Sequence, residues 1–184
     1  MKSLKLKENE SVKNDIAALY LSSFPENERP PLEWYFSCIY RYKENEAIAY
    51  YENDKFIGYT SLVTYQDIVY ICYLAVVKEK RNRGYGSKIL SDIKEKYQDK
   101  TILLCYEEVD EKYEDFLNRK NRENFYKRNG FINNELKTQE GEVVYQSARI
   151  GNRKVTFEDY KILFDLCYGK GANEKYLKEY KHFL

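Results

Sequence analysis

Apolar residues recur along this chain with two periods, and the switches between them divide it into elements. Leu4 and Leu6 alternate with Lys5 and Lys7, which predicts a short first strand. From Ser11 or Asn14 the spacing lengthens. Ile16, Leu19, Tyr20 and Phe24 then fall on one face of a helix that ends near Pro25. Pro25, Pro30 and Pro31 exclude a helix interior and predict a loop. Trp34, Tyr35, Cys38, Ile39 and Tyr42 mark a second helix, with proline suited to its first turn. Residues 47–51 and 55–64 read as two strands joined by a tight turn at Asn53-Asp54. Residues 68–77 form a third, almost wholly apolar run. Ile89, Leu90, Ile93 and Tyr97 return to helical spacing, and residues 101–106 are again a buried strand, ending at Glu107-Glu108. Strand, helix, strand in that order implies a parallel pair with a right-handed crossover. Residues 110–129 are polar with helical character, closed by Gly130. Strands start at Phe131-Ile132 and at Glu142. A last helical stretch, 157–167, breaks at Gly169-Lys170-Gly171, and residues 173–183 resume it.

The pattern is β-α-α-β-β-β-α-β-α-β-β: an α/β chain with a mixed sheet, followed by a helical extension. We read residues 1–150 as one domain and 151–184 as the extension packed on it. Phe157, Tyr160, Ile162, Leu163, Phe164, Leu166 and Tyr176 are too apolar to stay solvated. They must cover the sheet, the cleft, or a second subunit in a homodimer.

Composition removes several classes of function. The chain has 184 residues, with 31 basic and 30 acidic side chains, a net charge of +1. No global field favours nucleic acid or an anionic membrane. No run of about 18 apolar residues exists to span a bilayer. No apolar signal segment follows Met1-Lys2-Ser3, and the four cysteines are widely spaced. Both features predict a cytoplasmic protein with reduced thiols. No zinc spacing occurs, and the single histidine, His182, has no triad context, so no metal and no Ser-His hydrolysis are expected. The 20 tyrosines read first as a composition bias and only second as a pocket lining.

Chemistry concentrates where the apolar strand ends. After Val77 come Lys78, Glu79, Lys80, Arg81, Asn82 and Arg83, then Gly84, Tyr85, Gly86 and Ser87 at the start of a helix. A glycine turn at a helix N-terminus holds anions, because its backbone N–H groups lack partners and the helix dipole adds positive potential. A dinucleotide fingerprint would need a third glycine where Ile89 stands, and the Walker pattern is absent. What is satisfied is R-x-x-G-x-G: Arg81, Gly84, Gly86, preceded by Leu74-Ala75-Val76. A second motif, Phe125-Tyr126-Lys127-Arg128-Asn129-Gly130-Phe131, closes the later helix.

These two motifs, at these strand–helix junctions, resemble the GNAT superfamily of acyl-CoA-dependent N-acyltransferases, over about residues 1–150. The resemblance implies the GNAT fold and acetyl-CoA as cosubstrate. It implies pyrophosphate at Arg81, Asn82, Arg83, Gly84, Tyr85, Gly86 and Ser87, and the pantetheine arm along Leu74, Ala75 and Val76. It implies Tyr126 as the acid that protonates the departing thiolate. Members often carry an asparagine seven residues before that tyrosine. Arg119 stands there, so Asn121 or Asn118 is the substitute contact. A base must take the amine's proton. Glu108 is the first candidate, with Asp110, Glu26 and Glu28 as others. The expected reaction is acetyl transfer to a small cationic amine. The competing readings are a non-catalytic acyl-CoA-binding or regulatory module, and a protein using the turn for another phosphate ligand.

Overall fold

The computed structural model describes residues 1–180, so His182 and the end of the last expected helix lie outside it. Eight strands form one sheet in the order β1-β2-β3-β4-β5-β7-β6-β8. They are β1 (Lys2–Lys5), β2 (Asn45–Glu52), β3 (Lys55–Tyr65), β4 (Ile68–Val76), β5 (Thr101–Glu107), β6 (Ile132–Glu140), β7 (Val143–Ile150) and β8 (Leu177–Glu179). Among the described residues only the β4–β5 pair is parallel, as the intervening helix requires. The helices are α1 (Lys13–Ser23), α2 (Leu32–Arg41), α3 (Tyr85–Lys96), α4 (Phe116–Arg128), α5 (Phe157–Tyr168) and α6 (Ala172–Tyr176).

The strands of the middle of the sheet are buried on both faces, so they read as continuous apolar runs and not as alternation. One face carries α1, α2 and α5 over Tyr20, Tyr35, Tyr59, Tyr73, Tyr160 and Leu163. The other carries α3 and α4 over Ile71, Ile89, Leu90, Ile93 and Leu104. A capping box starts α5: Thr156 accepts from the Asp159 N–H, and Asp159 accepts from the Thr156 N–H.

Two elements differ from expectation. The segment 110–115 is a turn-rich loop, and α4 begins only at Phe116. The stretch after Gly171 is one helical turn, α6, followed by a strand, because the edge of β6 is open there and Leu177–Glu179 pairs with it.

The feature that makes room for a ligand is local to β4. Its pairing with β5 covers only Ile68 to Ile71. Against β3, Tyr73 pairs with Ser61 and Ile71 with Leu62, so Cys72 is the extra residue of a bulge. A bulge bends its strand and strengthens its twist. Beyond it, Cys72–Val76 and Cys105–Glu107 diverge, and the β4 edge facing β5 is left unpaired.

Candidate active site

Three adjoining cavities open at this divergence. A groove of about 530 Å³ lies at the α3 N-terminus, lined by Lys80, Arg81, Asn82, Gly84 to Ser87, Leu74, Val76, Arg122 and Tyr126. A central cavity of about 500 Å³ runs between β4 and β5. It shares Leu74, Val76, Arg81, Arg122 and Tyr126 with the groove. An outer vestibule of about 610 Å³ adjoins it through Glu28, Glu140, Tyr145 and Tyr168.

The groove is an anion site by construction. Between Asn82 and Ser87, no backbone N–H has a well-aligned acceptor among the described residues; the first helical bond is Lys88 N–H to the Gly84 carbonyl. Gly84 caps the helix with φ +79°, and Asn82 also has positive φ, at +60°. This left-handed pair turns successive N–H groups the same way. Gly86 is needed for another reason. A Cβ there would lie 3.0 Å from the Phe125 ring, so glycine lets α3 and α4 close beside the groove. The Arg81 Nε donates to the Val76 carbonyl at 3.0 Å, which ties the loop to the end of β4. Tyr85 and Lys88 both bond Glu52, bracing the turn against the β2–β3 hairpin.

Tyr126 stands where groove and central cavity meet. Its ring packs on Tyr106 and Phe131 at centroid distances of 5.5 and 5.8 Å. Its hydroxyl has no protein hydrogen bond among the described residues, and burial raises its pKa. One turn earlier on the same helix face is Arg122, which pairs with Glu107. Sequence reasoning missed both, although i, i+4 spacing from Tyr126 points to Arg122.

The remaining sequence candidates separate cleanly. Leu74, Ala75 and Val76 line the central cavity, as does Glu28. Arg83 and Asn121 are exposed and line none of the three cavities, and Asn118 is likewise exposed. Arg119 turns away to Asp115 and to the Glu108 carbonyl.

Glu108 is also not brought to the cleft. Successive strand residues face opposite sides, so when Glu107 lines the cavity its neighbour cannot. Glu108 is 5 % exposed and accepts from Lys137 at 2.9 Å and from Lys112 at 3.0 Å. Although burial opposes ionisation, the two ammonium groups win and hold the carboxyl down at about 2. That lowered pKa makes Glu108 a stabilising group and a poor base. Its contribution is present above the ordinary glutamate range and is lost as pH falls through about 2. Because Lys112 is half-exposed and screened, the effect should be on the order of 2 kcal/mol. Urea unfolding of Glu108→Gln should show this deficit at pH 7 and little of it at pH 2. An equal deficit at both would mean that packing, and not charge, is responsible.

A carboxylate that does face the cleft, and that no cation neutralises among the described residues, is Glu140, at the end of β6. It lines the central cavity and the vestibule, and it accepts from the Tyr160 hydroxyl at 2.7 Å. Burial pushes its carboxyl up to about 7, with the Glu28 charge adding to the effect. No sequence motif surrounds it.

Residues 43–133 match the family model of the acetyltransferase (GNAT) domain. The fold is shared with a protein of Bacteroides thetaiotaomicron assigned to the GNAT family, at 23% identity and TM-score 0.73, covering 92% of this chain and 99% of that one. It is shared with the aminoglycoside 6'-N-acetyltransferase of Enterococcus faecium, at 14% identity and TM-score 0.59, covering 83% and 99%. It is shared too with an aminoglycoside 6'-N-acetyltransferase complexed with coenzyme A, at 14% identity and TM-score 0.58, again covering 83% and 99%. Curated proteins yield no significant match. The chain carries a GNAT acetyltransferase domain over residues 43–133.

Proposed function

We propose that this protein transfers the acetyl group of acetyl-CoA to the primary amine of a small acceptor, by direct attack within a ternary complex. The observation that carries the reading is the meeting of two unlike cavities at Tyr126. On one side is a groove of free N–H groups and cations; on the other is a cleft with aromatic walls and, among the described residues, two carboxylates without an ion pair, Glu28 and Glu140. The groove fits a pyrophosphate, and the structural relative with bound coenzyme A supports that ligand class. The unpaired edge of β4 from Cys72 to Val76 suits the amides of the pantetheine arm, which would add as a strand. Tyr126 then lies at the reacting end, where its hydroxyl can hand a proton to sulfur.

The acceptor's ammonium end is drawn to Glu28 and Glu140. The vestibule beyond them also presents Arg29, Lys170 and Lys175. Three cations around one cavity repel a second or third positive charge on the ligand. The site therefore suits a monoamine with an apolar body, held among Trp34, Phe164 and Tyr168, better than a polycation. Comparing an aralkyl monoamine with spermidine and an aminoglycoside tests this. The monoamine should be preferred in kcat/KM by at least about tenfold, the equivalent of ~1.4 kcal/mol. Preference for the polycations would contradict the assigned acceptor class.

The groove has its own test. Acetyl-CoA binds only the folded state and should raise the melting temperature. Gly84→Val should abolish most of that shift. A Cβ at Gly84 meets no protein atom within 4 Å, so the valine points into open space, while φ +79° is a conformation that a β-branched residue rarely adopts. An undiminished shift in a folded variant would remove the pyrophosphate from this turn.

A further inference from the structure

We infer that Glu140 is the general base of the transfer and that Tyr160, on α5, is the residue that positions it. The inference rests on the acetyltransferase reading above. Both residues lie beyond the segment that matches the family model, residues 43–133.

Four carboxylates line the central cavity: Glu28, Glu107, Asp115 and Glu140. Glu107 is neutralised by Arg122, and Asp115 by Arg119. Neither can accept a proton without breaking an ion pair. Glu28 forms no ion pair among the described residues and receives only a long hydrogen bond, 3.4 Å, from the Tyr145 hydroxyl. Glu140 is different in being both unpaired with a cation among the described residues and held in place. Tyr160 donates to its Oε1 at 2.7 Å, and Thr138 is 3.5 Å from the same oxygen. The Tyr160 hydroxyl also lies 3.0 Å from that of Tyr70. A hydroxyl has one proton to give. Since Tyr160 gives its proton to Glu140, Tyr70 must donate to Tyr160, and the two hydroxyls form a directed chain ending on the carboxylate. Such chains polarise one another. Tyr160 is fully buried and its ring meets Tyr70 edge-on at 5.4 Å, so the donor cannot swing away.

The cations that line the same two cavities, Arg29, Lys170 and Lys175 in the vestibule and Arg81 and Arg122 in the central cavity, form no ion pair with Glu140 among the described residues, and the other groups facing it are neutral or anionic. Cys105 comes from β5, Tyr145 from β7, Tyr168 from α5 and Glu28 from the loop after α1; Lys175 lies across the vestibule. In that setting the carboxyl is raised into the range where a base works at neutral pH.

The proton balance is simple. The bound ammonium first loses one proton to solvent; the neutral amine then attacks the thioester carbonyl, a C–N bond forms and the carbonyl π pair moves to oxygen. The nitrogen becomes cationic and strongly acidic, and Glu140 takes its proton. The C–S bond breaks, and Tyr126 supplies a proton to sulfur. Solvent then removes the proton from Glu140 and restores that of Tyr126. The net products are an amide and a thiol.

The test is the pH dependence of kcat/KM in the full-length protein, measured with two monoamines whose own pKa values differ. Wild type should show a limb rising through about pH 7 that is the same for both acceptors. Glu140→Gln should lose about 10²-fold or more at the plateau, with the acetyl-CoA thermal shift retained. Glu140→Asp should recover part of that loss. Tyr160→Phe removes a hydrogen bond that favours the carboxylate form, so its limb should move upward by about one unit. Its rate should return toward wild type at high pH, whereas a merely structural defect would lower the rate at every pH. Wild-type rates in Glu140→Gln would overturn the base, and an unmoved limb in a folded Tyr160→Phe would overturn the positioning role. Absence of transfer by wild type to any amine would overturn the acetyltransferase reading itself.

Discussion

Tyr126→Phe should bind acetyl-CoA within a few-fold of wild type and turn it over about 10²-fold more slowly, the usual contribution of a positioned acid. The substitution keeps the ring against Tyr106 and Phe131, so the packing that orders α4 is preserved. The lost hydroxyl has no protein hydrogen bond among the described residues, so no buried partner is orphaned, and stability should change by well under ~1.5 kcal/mol. The raised pKa keeps Tyr126 protonated at neutral pH, as a proton donor must be. Single-turnover kinetics separate this step from product release, which can mask a chemical defect in steady state. A wild-type single-turnover rate in Tyr126→Phe would make the tyrosine a packing residue.

Removing residues 155–184 should prevent folding. Val155, Tyr160, Leu163, Phe164 and Cys167 are all buried in the core cluster that holds α1 and α2 to the sheet. At about 1.5–3 kcal/mol for each large side chain, their burial is comparable to the whole stability of a domain, about 5–15 kcal/mol. Polar anchors go as well. The Trp34 indole donates to the Tyr168 carbonyl at 2.7 Å, and the buried Asn45 amide donates to the Leu166 carbonyl at 2.7 Å. The truncated chain should be insoluble, or soluble with exposed apolar surface that binds a hydrophobic dye and no cooperative melt. A soluble truncation with the wild-type melting temperature would mean that α5 is an accessory and not part of the core.

What could be read from the sequence was what depends on neighbours in the chain. The strand–turn–helix at Leu74 to Ser87 announces itself because glycines, charges and the change of period all fall within a few residues. Tyr126 was legible for the same reason, through Phe125 and Gly130. The base was not. Glu108 looked placed because it ends a buried strand, but a one-residue alternation sends Glu107 to the cleft and Glu108 to two lysines. Glu140 reaches the cleft only because β7 inserts between β5 and β6, a pairing order that no local pattern encodes. Its partner Tyr160 arrives from α5, and the contact spans 20 positions in sequence. The tyrosines, first read as composition, line the cavity at Tyr70, Tyr73, Tyr126, Tyr145 and Tyr168. The exposed Asn121 shows the converse: a family contact carried over by proximity in sequence falls on the wrong face of α4.

The central claim is that the two cavities meeting at Tyr126 support transfer and not merely retention of an acyl-CoA. The measurement that reaches it most directly is thiol release from acetyl-CoA by the wild-type protein, with and without a panel of primary amines, alongside mass detection of the acetylated product. The account predicts release that depends on the acceptor, one N-acetyl product per thiol, and no acetylated enzyme when the amine is withheld. Tight binding of acetyl-CoA with no acceptor-dependent release from any amine would contradict it and leave a binding module in its place.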